Sequence, residues 1–446
     1  MTEHDNSGSH REVGLKLLSN HNISIGDSVK IDTEDGEIIG LLMPRYESAS
    51  EEYIVIKLKS GYNTGIYVEK INSITKLLDK DQNSASIRSP VITAKQNLPK
   101  IALISTGGTI ASKIDYRTGG VHAALSADEL YASVPELADH ASIDPEVLMS
   151  EYSENLRPEH WTLIAEKVAE KIKTGKYRGI VISHGTDTMH YTAAALSFAL
   201  QNLPVPVVLV GAQRSSDRPS SDAALNLLGA TIFATRSEYA GVFIAMHAGT
   251  SDYTIACHVG TRVRKNHTSR RDAFESIDIT PVAFVRNNEI EMQQKHQNLL
   301  VRRFTANVVK INTRFEDRVM LLKYYPGFDP ALIEHAINSG YRAIVLEGTG
   351  LGHVGKECFP ALKKAVGAGL MVCMTSQCIW GRVSMTVYDT GRDLLDIGVI
   401  SLSDMISETA TVKAMWTLAN SEDVEAAKKI MQENLANEIS DVIPIL

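Results

Sequence analysis

The stretch Lys100-Ile-Ala-Leu-Ile-Ser-Thr-Gly-Gly-Thr-Ile110 decides the fold of this chain. Its apolar run, stopped by glycine, predicts a buried parallel strand that ends in a tight turn. The carboxyl ends of such strands open onto the ligand crevice of an α/β sheet, and Gly107 and Gly108 let backbone N–H groups approach a ligand closely. Thr109 is therefore predicted to lie at the rim of this crevice with an accessible hydroxyl.

A second strand repeats this design in Gly179-Ile-Val-Ile-Ser-His-Gly-Thr-Asp-Thr188. It places Thr186 and Asp187 at the equivalent rim. Two strand ends that carry threonine in one sheet predict a nucleophilic site. A free threonine hydroxyl is a poor nucleophile, so this site needs a base or polarising neighbours.

The candidate for that base is Lys265, because a buried lysine beside a carboxylate can be tuned toward base behaviour. Simpler interpretations stay open for each residue. Asp187 could cap a helix that starts at Thr188. Lys265 could instead belong to a solvated or phosphate-binding patch of basic residues. The arginines of that patch are Arg262, Arg264, Arg270 and Arg271.

Length and composition indicate a globular chain with a sizeable core. The 446 residues suggest roughly three domains at the usual ~150 residues each. The net charge of -8 argues against this chain being the main clamp on a nucleic acid. The N-terminus is polar without an apolar signal core, and no stretch has the length of apolar sequence that a membrane helix needs. We expect a cytoplasmic protein with buried free thiols, since its four cysteines form no Cys-x-x-Cys pair.

The texture of the sequence changes along the chain and predicts its domains. A polar tail, 1–22, precedes a small β-barrel, 23–78, indicated by short strands and Asp-Gly and Ser-Gly turns. Docking or partner contact is favoured for this barrel over direct RNA contact. A polar linker, 79–98, leads to a large α/β domain, 99–310, that carries the catalytic threonines. A smaller C-terminal α/β domain follows, 311–446.

Alternating apolar strands and amphipathic helices predict a doubly wound parallel sheet with helices on both faces. The strands are predicted at 101–105, 179–183, 205–210 and 241–246. The clearest helix is Arg157–Lys173, with one apolar stripe, Pro158 in its first turn and Gly175 just past its end. Further helices are predicted at 188–203 and 221–236, and 407–446 is predicted to be largely helical.

Two other patterns have weaker functional interpretations. Gly350-Leu-Gly-His-Val-Gly355 matches a dinucleotide motif, but Thr375–Gln377 stand where the acidic residue should follow. Glu357 also replaces the Ser or Thr of a P-loop, so a tight turn at an interface is favoured. His184 is interpreted as a positioned strand residue and not as a base. No His, Asp and Glu residues have metal-ligand spacing, so no metal is predicted in this chain.

Thr106-Gly-Gly-Thr-Ile-Ala111 together with His184-Gly-Thr-Asp-Thr-Met189 resembles the bacterial-type L-asparaginase/glutaminase family. The order and spacing of both motifs agree with that family over about 98–430. The resemblance implies that Thr109 is the acylated nucleophile. It also implies a proton-handling set, which maps onto Thr186, Asp187 and Lys265.

The resemblance further implies which residues bind the substrate. Ser153 and Glu154 match the pair that holds the α-carboxylate and α-amine, and Tyr116 matches the tyrosine of the family's mobile lid. Backbone N–H groups near Gly108 and Thr186 are expected to stabilise the oxyanion. The sites of the family also borrow residues from a dimer mate, in the region that matches 348–353. Which threonine is acylated first stays open.

One departure from ordinary asparaginases is the long segment before the Thr-Gly-Gly-Thr strand. With its barrel, this architecture looks like the glutaminase subunits of archaeal-type tRNA-dependent amidotransferases. The resemblance implies a homodimer within a heterotetramer, and a partner subunit of the amidotransferase/kinase type that binds ATP and Mg²⁺. Glu-tRNA(Gln) would be held mainly by the partner. This chain would hydrolyse glutamine without a cofactor of its own, and neither subunit would need a membrane.

Two other interpretations remain. The chain could be a stand-alone cytoplasmic L-asparaginase with an accessory barrel. It could also be a non-catalytic scaffold that grips RNA through the barrel and the 262–271 patch, but the match of Thr109, Thr186, Asp187 and Lys265 would then be accidental.

Overall fold

The computed structural model describes residues 18, 21–24, 26–43, 52–58, 63–77, 97–108, 112–114, 121–123, 130–131, 134–214, 221–251, 253–293, 300–303 and 308–440. Most of the predicted tail and linker, and both Thr109 and Tyr116, lie outside these residues. Elements are numbered in chain order.

The N-terminal part is a five-stranded antiparallel sheet around its own apolar core, as the turn pattern predicts. Its strands are β1 (Ser28–Thr33), β2 (Gly36–Leu42), β3 (Tyr53–Leu58), β4 (Asn63–Tyr67) and β5 (Ile71–Lys76). The strand order is β4-β3-β2-β1-β5. Ile31, Ile56 and Ile74 are fully buried in its core. Val29 is buried beside Ile31 because alternate residues of a strand face the same side.

The central part contains the predicted α/β sheet and its helices. Its strands are β6 (Lys100–Ser105), β7 (Ser112–Ile114), β8 (Val121–Ala123), β9 (Ser142–Val147), β10 (Gly179–Ser183), β11 (Leu200–Gln201), β12 (Pro206–Val210), β13 (Tyr239–His247), β14 (Thr254–Val259), β15 (Val263–Lys265), β16 (Phe274–Ser276), β17 (Ala283–Arg286), β18 (Glu289–Met292), β19 (Val301–Arg302) and β20 (Lys310–Ile311). Its α-helices are α1 (Pro158–Lys173), α2 (Met189–Ala199) and α3 (Ala223–Arg236). The four predicted strands and three predicted helices are all present, but α2 ends at Ala199 and not at the predicted residue 203, because Leu200–Gln201 form β11.

The main sheet has the order β18-β17-β14-β13-β12-β10-β6-β9. Neighbours from β9 to β13 are parallel, which confirms the doubly wound half. The strands β14, β17 and β18 continue it in antiparallel fashion, a feature that the prediction of a parallel sheet missed. The connection 248–253 is too short for a crossover helix, so β14 can only return beside β13 as an antiparallel neighbour.

Helix α1 follows from its sequence at both ends and along its buried face. Ile164, Ala165 and Val168 are buried in one cluster with residues of the sheet, and Trp161 is buried in a neighbouring cluster with Ala194 and Phe198. Pro158 is at the first helical position, and Gly175 has φ +65° beyond the last turn, where its N–H donates to the carbonyl of Ile172 over 3.0 Å. One buried cluster surrounds α1 and α2 and another surrounds α3, so helices cover both faces of the sheet.

The C-terminal part is a second, smaller parallel sheet with helices. Its strands are β21 (Val319–Lys323), β22 (Ala343–Gly348), β23 (Met371–Ser376) and β24 (Ile400–Ser401), in that spatial order. Its helices are α4 (Ala331–Asn338), α5 (Phe359–Gly367), α6 (Asp389–Ile397), α7 (Ser407–Asn420) and α8 (Val424–Gln432). Helix α7 packs on α2 of the central part, where Val412 and Trp416 join the buried cluster of Ala194 and Phe198.

The cysteines are free thiols, but only three of them are buried. Cys257, Cys358 and Cys373 are buried, and the prediction of a buried thiol is wrong for Cys378, which is exposed. Burial raises the pKa of the Cys373 thiol to about 12, so this thiol stays protonated near neutral pH. Among the described residues, no helix is long and apolar enough to cross a membrane.

Candidate active site

The two motif strands end side by side. Strands β6 and β10 are parallel neighbours, with Ser105 opposite Ser183. The loops that follow touch each other at Gly108, where a Cβ atom would lie 3.0 Å from the carbonyl carbon and oxygen of His184. Gly108 has φ +73°, a conformation that disfavours other residues, so both space and backbone geometry require glycine here.

Lys265 joins the Thr186–Asp187 loop as the sequence predicts. Its Nζ donates to Thr186 Oγ1 over 2.8 Å and to Asp187 Oδ1 over 2.7 Å. The lysine side chain is only 9% exposed, whereas the Asp187 side chain is 66% exposed. The ammonium group is thus held by a carboxylate on the solvent side and by a hydroxyl on the inner side.

The capping alternative for Asp187 is not what the structure contains. Helix α2 begins at Met189 with Thr188 as its N-cap, and that cap makes no side-chain hydrogen bond to the helix. The Thr188 hydroxyl donates instead to the carbonyl of Ser153 over 2.6 Å. The Asp187 carboxylate contacts Lys265, which is the arrangement that a proton relay needs.

Ser153 lies against the same loop, and Glu154 beside it faces solvent. Both belong to the short 3-10 turn Ser153–Asn155. A Cβ atom at Gly185 would lie 2.9 Å from Ser153 Oγ, so the serine packs directly on the loop that carries Thr186. Ser153 is buried. Five of the predicted site residues are therefore neighbours: Gly108, Ser153, Thr186, Asp187 and Lys265.

Of the three remaining predicted site residues, the structure describes only Glu154. Glu154 is exposed next to Ser153. Thr109 follows Gly108 directly in the chain, but it lies outside the described residues, as does Tyr116. Their roles stay predictions.

His184 is a structural residue in this site, as predicted, although it lies directly after β10, which ends at Ser183, and not in the strand itself. Its Nδ1 lies 2.7 Å from the carbonyl of Gly185, which can only accept, so Nδ1 carries the proton. Its Nε2 then accepts from the Thr192 hydroxyl at 2.9 Å. Burial lowers the pKa of His184 to about 4. Both ring nitrogens are occupied and the ring is neutral, so His184 is not available as a base.

Two of the four arginines near Lys265, Arg262 and Arg264, form ion pairs with the C-terminal part in place of the solvated patch that the sequence allows. Arg262 is almost fully buried, and its NH1 donates to Asp404 Oδ2 over 3.0 Å. Arg264 Nε lies 2.8 Å from Glu408 Oε1, and burial raises the pKa of Glu408 although Arg264 opposes that rise. These ion pairs direct two of the arginines toward the C-terminal part, and the patch interpretation is wrong for both.

Asp404 and Glu408 bind the two arginines beside Lys265, and the sequence analysis did not identify them. Asp404 lies three residues before α7 and Glu408 is the second residue of this helix, so both are far along the chain from Lys265. The only local signal is their spacing of four around a helix start, and acidic residues are common there because they complement the helix dipole.

The glycine-rich stretch Gly350–Gly355 is a tight turn. Gly350 and Gly352 have φ +49° and +100°, and a Cβ at Gly352 would lie 3.0 Å from Met374 Cγ. The Glu357 carboxylate occupies the space beside Gly355 where a phosphate would have to approach. This geometry favours the turn over a nucleotide site. Across the described ranges, no group of three or more His, Cys, Asp or Glu residues could hold a metal ion.

The fold and the site define the asparaginase/glutaminase class of proteins. Residues 100–298 match the family described as Asparaginase, N-terminal, and residues 318–431 match the Glutaminase/Asparaginase C-terminal domain. The solved structure of the thermostable L-asparaginase from Thermococcus kodakarensis is similar with a TM-score of 0.69 and 33% identity. The match covers 77% of this chain and 100% of that one.

The N-terminal sheet narrows this class further. Residues 23–77 match the GatD N-terminal domain. The chain is 47% identical over 431 residues to the GatD component of the glutamyl-tRNA(Gln) amidotransferase of Pyrococcus abyssi, covering 95% of this chain and 97% of that protein. For the same component in Sulfolobus acidocaldarius the identity is 45% over 425 residues, with 95% and 94% covered. The chain belongs to the GatD family of glutamyl-tRNA(Gln) amidotransferase components.

Proposed function

We propose that this chain is the glutaminase subunit of a tRNA-dependent amidotransferase, which hydrolyses glutamine and supplies ammonia for the conversion of Glu-tRNA(Gln) to Gln-tRNA(Gln). The observation that carries the proposal is the contact of Lys265 Nζ with both Thr186 and Asp187 at a parallel strand end, 2.8 and 2.7 Å away. Similarity to GatD proteins along 95% of the chain supports the choice of reaction.

The reaction begins with attack of a threonine hydroxyl on the side-chain amide carbon of glutamine. Thr109 is the candidate nucleophile, and Thr186 is the alternative. The attack forms a C–O bond, and the hydroxyl proton passes through Thr186 to Lys265, which accepts it in its neutral amine form. Backbone N–H groups near Gly108 and Thr186 stabilise the negative oxygen of the tetrahedral intermediate.

Collapse of this intermediate breaks the C–N bond. The proton held by the relay moves to the leaving nitrogen, ammonia departs, and glutamate stays esterified to the threonine. Water then attacks the ester, and the same groups return a proton to the threonine oxygen. Asp187 keeps Lys265 beside Thr186 throughout, while Ser153 and Glu154 hold the backbone end of the substrate.

The expected partners follow from this function. Ammonia would be consumed by a subunit-E-like partner that uses ATP and Mg²⁺ to activate Glu-tRNA(Gln), and two copies of each subunit would form a heterotetramer in the cytoplasm. The burial of Arg262 and the net charge of -8 support a tRNA held mainly by the partner. Exposed apolar side chains at Trp380, Val387 and Tyr388 support a homodimer contact on the C-terminal part, close to His353, whose ring lies 5.5 Å from that of Tyr388.

A first experiment measures glutamine hydrolysis by the chain alone and with the partner subunit and glutamyl-tRNA. We expect Lys265→Met to lower kcat by about a hundredfold or more, as loss of a proton-transfer group does, with little change in KM. Lys176→Met, at an exposed lysine, is the control. Equal rates for the wild type and Lys265→Met would refute the relay.

A second experiment identifies the acylated residue. A reactive glutamine analogue should label Thr109, and Thr109→Ala should abolish the label. Label that persists on Thr186, located by mass spectrometry, would transfer the nucleophile role to that residue.

The second candidate is a stand-alone L-asparaginase, which the similarity of 77% of the chain to a solved L-asparaginase favours. It predicts fast asparagine hydrolysis by the lone chain, indifferent to partner and tRNA. Stimulation of glutamine hydrolysis by both additions would exclude it.

A further inference from the structure

Strand β15 presents its side chains alternately to the two α/β parts of the chain. On one side, Val263 joins the buried cluster around α1 and α2, and Lys265 reaches Thr186 and Asp187. Residues two apart in a strand face the same way, so the side chain of Val263 fixes the face from which Lys265 projects. Because Asp187 is largely exposed, the solvent side of this relay offers little rigid support.

Arg264, on the other face of β15, and Arg262, which directly precedes this strand, form two ion pairs with the C-terminal part. The guanidinium of Arg262 binds Asp404, and both side chains are buried. Arg264 Nε lies 2.8 Å from Glu408 Oε1, with the arginine 34% exposed and the carboxylate nearly buried. The strand that carries Lys265 is therefore held by two carboxylates from a distant part of the chain.

Both carboxylates belong to the start of α7. Asp404 lies three residues before this helix and Glu408 is its second residue. Helix α7 also supports α2, whose first residue follows Asp187 by two positions, through a ring contact of 6.1 Å between Phe198 and Trp416. One helix thus supports both halves of the relay: the strand of Lys265 and the helix behind Thr186.

We propose that Glu408 is a positioning residue for the amidohydrolase reaction, acting through Arg264 to hold β15 so that Lys265 Nζ stays in contact with Thr186 Oγ1. The inference rests on the proposed function. Arg264 precedes Lys265 directly, so any shift of its backbone moves the lysine. Arg262 is anchored more deeply, since its guanidinium also donates to the carbonyl of Asn437 and to Ser440 Oγ, and it serves the packing of the two parts.

The test uses the full chain with its partner subunit and glutamyl-tRNA, and measures glutamine hydrolysis. Glu408→Gln keeps the shape of the side chain and removes its charge. We expect kcat to fall about tenfold while KM changes less than about twofold, because a small displacement of a proton-transfer group affects the transition state and not substrate binding. Arg264→Gln tests the same pair from its exposed side and should give the same loss. Arg264→Lys, which keeps the charge, should recover part of it.

A double-mutant cycle separates positioning from general stability. If Glu408 acts through Lys265, Glu408→Gln should cause no further loss of residual activity in a Lys265→Met background. A loss of the same size in both backgrounds, or wild-type kcat for Glu408→Gln, would overturn the inference.

Asn420→Ala is the matched control. Asn420 is the last residue of α7, at the opposite end from Glu408, and ties that end to the carbonyl of Arg314 over 2.9 Å. Asn420→Ala should leave kcat unchanged. If Asn420→Ala lowers kcat as much as Glu408→Gln does, any loosening of α7 has the same effect, and the inference is overturned. If Lys265→Met hydrolyses glutamine as fast as the wild type, the proposed function fails and this inference fails with it. If Lys265 matters and Glu408 does not, only the inference fails.

Discussion

Thr106 Oγ1 donates to the carbonyl oxygen of Ser183 over 2.9 Å, and the Thr106 backbone N–H donates to the same oxygen over 3.0 Å. The first threonine of the Thr-Gly-Gly-Thr motif thus links the ends of β6 and β10 by hydrogen bonds. It is fully buried, and its hydroxyl is used by this contact. This contact joins the two motifs of the site into one unit.

The first prediction concerns Gly107, which directly follows Thr106. Gly107 has φ +130°, and a Cβ atom there would overlap the carbonyl oxygen of Glu151. Gly107→Ala should displace 151–153 and with it Ser153, so we expect the KM for glutamine to rise about tenfold or more. Gly175→Ala is the control, because Gly175 also has positive φ, at +65°, but nothing lies within 4 Å of its Cβ position. It should lower stability by about 1 kcal/mol without changing KM. Unchanged kinetics in Gly107→Ala would contradict the placement of Ser153.

Much of this arrangement could be predicted from the sequence because its signals are local. Apolar runs that stop at glycine predict where β6 and β10 end, and the helical spacing of apolar residues in α1 predicts which face of that helix is buried. Lys265 could be found because it lies in a short motif that resembles a known family. Its carboxylate neighbours Asp404 and Glu408 were missed, since Arg262 and Asp404 are 142 residues apart and only the packing of the two α/β parts brings them together. The antiparallel strands beyond β13 were missed because an apolar strand has the same sequence pattern in either direction.

The second prediction concerns acid stability. Burial lowers the pKa of His184 to about 4 and that of His190 and His258 to about 3, well below the usual 6.5. Between these values and 6.5, the unfolded chain binds more protons than the folded one, so stability rises with pH. The contribution is complete above pH 6.5 and is lost as pH falls below it, by up to about 1.4 kcal/mol per pH unit for each histidine.

Urea denaturation at several pH values checks this directly. The apparent midpoint should fall steadily from pH 7 to pH 5, before most carboxylates titrate. His258→Gln should make that fall shallower, because one buried neutral ring is removed while an amide remains to bond Ser276, which His258 contacts at 2.8 Å. A midpoint that stays constant over this range would be inconsistent with neutral buried histidines.

The third prediction concerns the buried ion pair of Lys413 and Glu438, whose side chains have no exposed surface. Lys413 Nζ lies 2.6 Å from Glu438 Oε1 and also donates to the carbonyl of Met431 over 3.1 Å. Lys413→Met leaves the carboxylate buried without its partner charge, so we expect a loss of about 3–5 kcal/mol in unfolding free energy. Lys413→Met combined with Glu438→Gln should recover part of this loss, because no unpaired charge remains.

The comparison for that pair is the exposed one between Lys364 and Glu334, 3.2 Å apart. Lys364→Met should leave the urea midpoint unchanged within error, since exposed pairs contribute little. If both lysine substitutions had equal effects, burial would not be the reason for the stability of the C-terminal segment.

The last prediction tests the substrate end of the site through Ser153. Its carbonyl is fixed by the Thr188 hydroxyl at 2.6 Å and its side chain packs on Gly185, so Ser153→Ala should keep the local backbone in place. If the serine hydroxyl binds the α-carboxylate of glutamine equally in the ground and transition states, KM should rise about tenfold with kcat nearly unchanged. Ser197→Ala, at a buried serine whose hydroxyl donates to the carbonyl of Ala193 over 2.7 Å, should alter neither constant. A fall in kcat at constant KM would instead mean that Ser153 acts on the reacting amide, and would move it from substrate holding to the chemistry itself.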